Sequence, residues 1–170
     1  EEYKGQIDLV EGFNKLSKNL KSKCIVFFVG NGKKQDIKIL KRKIRDFKLS
    51  NNIKILDYLN EDSYKIINNF DLLMSLTRDF EAFGYSIAEA LYVRTPVICT
   101  NVGGIKEFVS KKNAIIIQPN NIQSIKQSLK DFLSKKKLFN KKVSNGCNLM
   151  KEKFNSDIMS KKFLQYFSHA

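Results

Sequence analysis

The two stretches Phe70-Asp-Leu-Leu-Met-Ser-Leu76 and Glu81-Ala-Phe-Gly-Tyr-Ser-Ile-Ala-Glu89 decide the fold. The first is a short apolar run, which predicts a buried strand over residues 71–76. The second leads into apolar residues at helical spacing and predicts a helix over 84–93. A further apolar run, Pro96-Val-Ile-Cys99, predicts a second strand directly after that helix. A strand, a helix and a strand in this order form a parallel β-α-β unit.

The same alternation continues on both sides of this unit. Apolar runs of strand length lie at 24–29, 53–56, 71–76, 96–99 and 114–117. Helical patterns lie at 6–20, 37–47, 61–68, 84–93, 103–109, 121–134, 138–152 and 155–167. The strand runs are continuous rather than alternating, as expected for strands that are covered on both faces. We therefore predict an α/β fold with an open, doubly wound, Rossmann-like parallel sheet and C-terminal helices, as a single domain over residues 1–170.

Length and composition are those of an ordinary globular domain. A chain of 170 residues with 42% hydrophobic residues and 13 Phe can build a core of its own. No apolar run approaches the ~20 residues that span a bilayer. The three cysteines form no CxxC pair and there is a single histidine, so we expect no metal site and no disulfide framework. We also expect no cofactor. This cysteine usage favours a reducing cytoplasm.

The net charge of +14 is open to two interpretations. The charge comes mostly from lysines spread along the predicted helices, which favours solvated helix faces and the codon usage of a low-GC genome. The alternative is a basic surface for an anionic membrane or for nucleic acid. We expect no nucleic acid partner, and we place the protein in the cytoplasm or peripherally on the inner face of the membrane.

The turn between the predicted strand and helix carries groups suited to one kind of ligand. Free N–H groups at a helix N-terminus bind phosphate, and the carboxylates of Glu81 and Glu89 can accept hydrogen bonds from sugar hydroxyls. A pyrophosphate between two sugars, as in a nucleotide-sugar, would use all of these groups. Ligands of such sheets bind beyond the carboxyl ends of the strands. The loops there are Gly30–Gly32, Asp57–Asn60, Arg78–Gly84 and Asn101–Gly104.

Further motifs occur in a fixed order around the Glu-x7-Glu signature. They are Lys4-Gly5, Phe28-Val-Gly-Asn-Gly32, Thr95-Pro-Val-Ile98, Val102-Gly-Gly-Ile105 with Glu107, and Phe154-Asn-Ser to Tyr166. Nearly end to end, the series resembles the C-terminal, donor-binding domain of GT-B glycosyltransferases of the family-4 kind, the retaining glycosyl transferases group 1. There are two departures: Leu76-Thr-Arg-Asp79 stands where such domains usually carry Pro-Ser, and Arg94 stands where they carry Gly.

The resemblance implies a role for each matching residue. Lys4 would contact the donor pyrophosphate, Glu89 would accept hydrogen bonds from the ribose, and Glu81 would be the catalytic residue that holds hydroxyls of the transferred sugar. Substrate contacts at the start of the helix would come from Phe83 and from the backbone N–H groups of Gly84, Tyr85 and Ser86. The base would be bordered by Gly30, Asn31, Gly32, Asp57 and Leu59.

The resemblance also implies an activity and partners. A nucleoside-diphosphate sugar would donate a hexose to an acceptor hydroxyl with retention of configuration, in the synthesis of a cell-surface glycan or glycolipid. The N-terminal, acceptor-binding domain lies outside this chain, so the isolated domain is expected to be inactive. An apolar strip with Phe163, Tyr166 and Phe167 is expected to face that domain, and a lipid-linked acceptor is a further expected partner. The alternatives are a nucleotide-sugar epimerase of the same architecture and a basic module that binds nucleic acid or membrane.

Each candidate residue also has a purely structural interpretation. Glu81 suits the start of a helix because of the helix dipole, and Glu89 can face solvent on an amphipathic helix. Lys4 lies near a chain end, and Asp57 can be an ordinary loop acid. The remaining candidates can be turn glycines, namely Gly30, Gly32, Gly103 and Gly104. The sequence leaves these alternatives open.

Overall fold

The computed structural model describes residues 2–135 and 137–167. Within them the strands are β1 (Val26–Val29), β2 (Ile53–Leu56), β3 (Leu73–Ser75), β4 (Val97–Thr100) and β5 (Ile115–Ile117). The α-helices are α1 (Gln6–Asn14), α2 (Lys18–Lys21), α3 (Lys34–Asp46), α4 (Ser63–Ile67), α5 (Tyr85–Tyr92), α6 (Ile122–Ser134), α7 (Lys137–Lys153) and α8 (Ser156–Phe167). Two 3₁₀ helices span Glu2–Lys4 and Gly103–Glu107. The predicted α/β alternation is confirmed, with five strands at the predicted places.

All strand pairs in the described residues are parallel, as predicted. β1 pairs with β2, and β4 lies between β3 and β5. Within the described residues, the strands thus form two hydrogen-bonded sheets, of two and three strands, with no ladder between β1 and β3. This differs from the single open sheet that the apolar runs suggest, since an apolar run predicts a strand but not its lateral partner.

The first predicted helix, over 6–20, is divided in two. α1 ends at Asn14, and Ser17 adopts an extended conformation (φ −64°, ψ 156°) before α2 begins. The Ser17 hydroxyl accepts a hydrogen bond from the N–H of Leu20, which makes Ser17 an N-cap. The capping preference of serine therefore prevails over the helical spacing of the apolar residues.

Two clusters of buried side chains form the core. The first joins α1, α3 and α6 to both sheets, with Val10 and Phe13 fully buried at its centre. The second joins α5 to β4, the second 3₁₀ helix and α7, around Ile87 and Ile105. β4 is buried along its whole length because helices cover both of its faces. Among the described residues, no helix is both long and apolar enough to span a membrane.

Candidate functional site

A cavity of about 1640 Å³ lies between β1 and β3. Its wall includes the loops that follow β1 and β2, the end of β3, and side chains near the start of α5. The candidates that line it are Lys4, Gly30, Asn31, Gly32, Leu59, Glu81 and Ser86. The cavity also continues along both strands to apolar side chains of α1 and α6, among them Phe13 and Phe132. The remaining candidates, Asp57, Phe83, Gly84, Tyr85 and Glu89, are not part of its wall.

Lys4 and Glu81 meet in this wall as an ion pair. The Lys4 Nζ lies 2.7 Å from the Glu81 Oε2, and the two side chains are 34% and 19% exposed. The next residue, Gly5, allows the chain to pass close to Leu76 and so brings Lys4 near Glu81. It adopts φ 71°, and a Cβ at this position would lie 2.2 Å from the carbonyl oxygen of Leu76 at the end of β3. The Lys-Gly motif therefore places an ammonium group beside the strand end that precedes Glu81.

Arg78 holds the chain on both sides of Lys4, through contacts with Tyr3 and with Asp8 of α1. Its Nε and Nη2 donate to the two carboxylate oxygens of Asp8 at 2.9 and 2.7 Å, and Asp8 is buried in α1. The N–H of Arg78 donates to the carbonyl oxygen of Tyr3 at 2.7 Å. Arg78 stands where a Pro-Ser pair is usual, and its role in holding the segment before Lys4 was not predicted. The sequence signal was that departure alone, because the burial of its partner Asp8 does not follow from helical spacing.

Gly103 and Gly104 position the backbone of Glu81. The N–H of Gly104 donates to the carbonyl oxygen of Glu81 at 2.8 Å. Gly103 has φ 56°, and a Cβ there would lie 2.2 Å from that same oxygen, while a Cβ on Gly104 would lie 1.9 Å from the carbonyl oxygen of Ala82. The two glycines are therefore required by the close approach of two loops and are more than turn residues.

Gly84 turns the chain into α5. It is the N-cap residue and adopts a left-handed conformation, with φ 83° and ψ 55°. The N–H groups in the first turn of a helix have no partner within it, so those of Tyr85 and Ser86 are placed to bind an anion. Phe83 packs its ring against Tyr85 and Phe108, with centroids 5.1 and 5.0 Å apart. Its observed contacts are therefore with other aromatic rings.

Glu89 lies one helical turn further along α5 and is half-buried. The Ser63 hydroxyl donates to its Oε1 at 2.6 Å. Ser63 belongs to the cavity wall and Glu89 does not, so the serine connects this carboxylate to the cavity. Sequence reasoning did not single out Ser63.

The residues before Ser63 are charged and exposed. Asp62, the N-cap residue of α4, lies 2.9 Å from the Nζ of Lys65, and this hydrogen bond lowers the pKa of Asp62. The same contact raises the pKa of Lys65, with a further contribution from Glu61. Among the described residues, no group of three or more His, Cys, Asp or Glu side chains is placed to hold a metal ion.

Comparisons with known proteins address the fold and the family. A family model described as glycosyl transferases group 1 matches residues 1–148. TuaC of Bacillus subtilis, which is named as a glycosyltransferase of teichuronic acid biosynthesis, is 26% identical over 126 residues, 74% of this chain and 29% of TuaC. The chain therefore spans less than a third of this curated relative.

Two solved structures share the fold. HepE of Anabaena, crystallised in complex with UDP-glucose, matches with a TM-score of 0.90 and 21% identity, over 100% of this chain and 46% of HepE. The C-terminal domain of LpcC, a glycosyl transferase group 1 family protein of Francisella tularensis, matches with a TM-score of 0.78 and 24% identity, over 92% of this chain and 82% of that domain. The predicted C-terminal, Rossmann-like half of a GT-B fold is thus confirmed.

Proposed function

The chain belongs to the glycosyl transferases group 1 family, and we propose that it is the donor-binding half of a retaining hexosyltransferase. The observation that carries this proposal is the Lys4–Glu81 ion pair in the wall of the cavity that Ser86 of α5 also lines. One cation, one carboxylate and the free N–H groups of a helix start match a diphosphate joined to a sugar. The complex of HepE with UDP-glucose supports the same class of donor.

The proposed reaction breaks the bond between the anomeric carbon of the sugar and an oxygen of the diphosphate. The acceptor hydroxyl oxygen forms the new bond to that carbon and passes its proton to an oxygen of the departing diphosphate, which leaves with the bonding electron pair. Negative charge therefore grows on the diphosphate. Lys4 and the N–H groups of Gly84, Tyr85 and Ser86 would stabilise this charge electrostatically, with no metal required.

Donor binding would redistribute the existing ion pair. A diphosphate would attract the ammonium group of Lys4 away from Glu81, and the carboxylate would then accept hydrogen bonds from hydroxyls of the sugar. Glu89 would accept hydrogen bonds from the ribose, and the loops with Gly30, Asn31, Gly32, Asp57 and Leu59 would border the base. The pair would thus keep both charges balanced before a donor binds, and on binding each partner would exchange one ligand for another.

The wider role is also part of the proposal. Because the chain covers 46% of HepE, we propose that a second, acceptor-binding domain completes the enzyme. The name of TuaC, a glycosyltransferase of teichuronic acid biosynthesis, supports a role in polysaccharide synthesis. A cell-surface product and a lipid-linked acceptor at the inner face of the membrane are further parts of the proposal. The cytoplasm is then the place where a nucleotide-sugar donor is available.

Isothermal titration calorimetry tests the donor site. The chain is titrated with UDP, GDP and ADP and with a sugar form of each, and we expect measurable binding of at least one pair. Lys4→Ala should weaken the binding of that ligand by about 1.5–3 kcal/mol, the value of a charge-assisted hydrogen bond. Lys41→Ala, which removes an exposed lysine of α3, is the matched control and should bind as the unchanged chain does. No heat with any of the six ligands would contradict the proposal.

A further inference from the structure

The hydrogen bond between Ser63 and Glu89 joins two elements that are distant in sequence. Ser63 is the first residue of α4, and Glu89 lies 26 positions later in α5. Ser63 is exposed and Glu89 is half-buried, so without a partner the glutamate side chain could sample several rotamers. A donor–acceptor distance of 2.6 Å is typical of a hydroxyl bonded to an ionised carboxylate. The serine therefore holds this carboxylate in one orientation.

The bond leaves the glutamate with capacity for a ligand. An ionised carboxylate has about four acceptor positions, and the serine hydroxyl donates one hydrogen to Oε1. The Oε2 atom and the second lone pair of Oε1 stay available. Ser63 lines the cavity and Glu89 does not, so the bond places the Glu89 Oε1 atom 2.6 Å from the hydroxyl of a residue in the cavity wall.

The position of α4 does not depend on this bond. At the other end of the helix, Ile67 is buried in the second core cluster. The Thr95 hydroxyl donates to the carbonyl oxygen of Ile67 at 3.1 Å, in a buried position that follows α5. Removal of the Ser63 hydroxyl should therefore leave α4 docked against α5 and change only the freedom of the Glu89 side chain.

We propose that Ser63 is a positioning residue that holds Glu89 ready to accept hydrogen bonds from the ribose hydroxyls of the donor. This inference rests on the proposed function. The serine restricts the rotamers of Glu89 before the ligand binds, so that binding costs less side-chain conformational entropy. The effect acts only through Glu89 and only on ligands that carry ribose hydroxyls.

The test uses the diphosphate, among UDP, GDP and ADP, that the unchanged chain binds most tightly, together with its 2′,3′-dideoxy analogue. Ser63→Ala should weaken the ribose form about fivefold, the effect of one ordinary hydrogen bond, and the dideoxy form less than about twofold. Ser63→Thr keeps a hydroxyl and should restore most of the affinity. Ser144→Ala removes an exposed hydroxyl that bonds to the carbonyl oxygen of Asn140 in α7, and it serves as the control.

A double-mutant cycle completes the test. In a chain that already carries Glu89→Ala, the further change Ser63→Ala should cost no additional affinity, because the serine acts through the glutamate. Equal losses for the ribose and dideoxy forms, an unchanged affinity of Ser63→Ala for the ribose form, or additive losses in the cycle would each overturn the inference. Failure of the unchanged chain to bind any of the three diphosphates would instead contradict the proposed function, and the inference would fall with it.

Discussion

At the scale of single residues, the ion pair of Lys4 and Glu81 brings one positive and one negative group together in the cavity wall. Each partner is partly exposed, so the pair is worth little as a stabilising contact. The pair matters because each group can bind a part of the donor once the two are separated. An ammonium group released from a carboxylate can bind a phosphate, and the released carboxylate can bind hydroxyls.

The two glutamates should therefore differ in their response to substitution. Glu89→Ala should weaken the free nucleotide and the nucleotide-sugar alike, by about 1.5–3 kcal/mol, because both ligands carry the ribose. Glu81→Ala should weaken only the sugar form. For the free nucleotide it should preserve or increase affinity, since Lys4 no longer has to leave a carboxylate. Calorimetry of both variants with both ligands measures this, and equal losses in all four titrations would refute the division of roles.

The cysteines should differ in their reactivity. Burial raises the pKa of Cys99 to about 12, and Cys147 is 1% exposed, whereas Cys24 is only half-buried. At pH 8 a thiol reagent should modify Cys24 in the folded chain and all three cysteines in denaturant. Between the pKa of an unfolded thiol, about 8.5, and that of Cys99, rising pH should lower the free energy of unfolding, because only the unfolded thiol ionises there. Rapid modification of Cys99 in the folded chain would contradict its burial.

Sequence motifs identify some of the site residues, but they do not predict contacts between residues that are far apart in the chain. Lys4 and Glu81 were recognised through motifs, but their contact spans 77 positions and follows from no local pattern. The Arg78–Asp8 pair spans 70 positions and was missed altogether. The burial of Asp8 is visible only in the folded structure, because helical spacing places this residue in line with the polar Glu11 and Lys15 rather than with the apolar residues of α1.

At the scale of elements, the loop that precedes α5 (residues 81–84) and the Gly103–Glu107 helix act as one unit. Their backbones are in direct contact, because Gly104 donates to the carbonyl oxygen of Glu81. Apolar runs and helical spacing predicted every strand and most helix bounds, since these patterns reflect burial along the chain. They could not predict the docking of one loop on another, which depends on distances between segments.

Gly104→Ala tests this docking. The added Cβ would lie 1.9 Å from the carbonyl oxygen of Ala82 and would force the two loops apart. We expect a loss of about 1–3 kcal/mol in the free energy of unfolding, as for other overpacked sites, together with weaker binding of the sugar form. Gly32→Ala is the matched control for stability, because its Cβ would lie 3.7 Å from the Ile37 Cγ1, an ordinary contact. Urea denaturation measures the free energy of unfolding of both variants. Equal stability of the two would argue against a required close approach of the loops.

At the scale of the whole molecule, the last helix presents an apolar surface. Met159, Phe163, Leu164 and Phe167 of α8 are each between 63% and 69% exposed. The rings of Phe163 and Phe167 lie 4.7 Å apart. The predicted strip therefore includes these two phenylalanines, while the side chain of Tyr166 lies outside the described residues. We propose that the acceptor-binding domain covers this surface in the complete enzyme.

The chain alone should consequently transfer no sugar, even with abundant donor. Slow donor hydrolysis is the most that we expect, because a single domain cannot exclude water from a closed cleft. A radiolabelled-sugar assay compares the chain with a protein in which an acceptor-binding domain precedes it. Phe163→Asp with Phe167→Asp should leave the melting temperature of the chain alone nearly unchanged and reduce transfer by the two-domain protein. Robust transfer by residues 1–170 alone would contradict the proposal.

The separation of β1 from β3 has a consequence for how the protein unfolds. The two sheets share the side chains of the first core cluster, but in the described residues no backbone ladder joins them. Each sheet can then open without breaking hydrogen bonds of the other, so amide exchange should divide the strands into two groups with different protection. A donor that contacts Gly30–Gly32 on one side and Gly84–Ser86 on the other would hold the two sheets together. With a donor bound, the two sheets would open together as one cooperative unit.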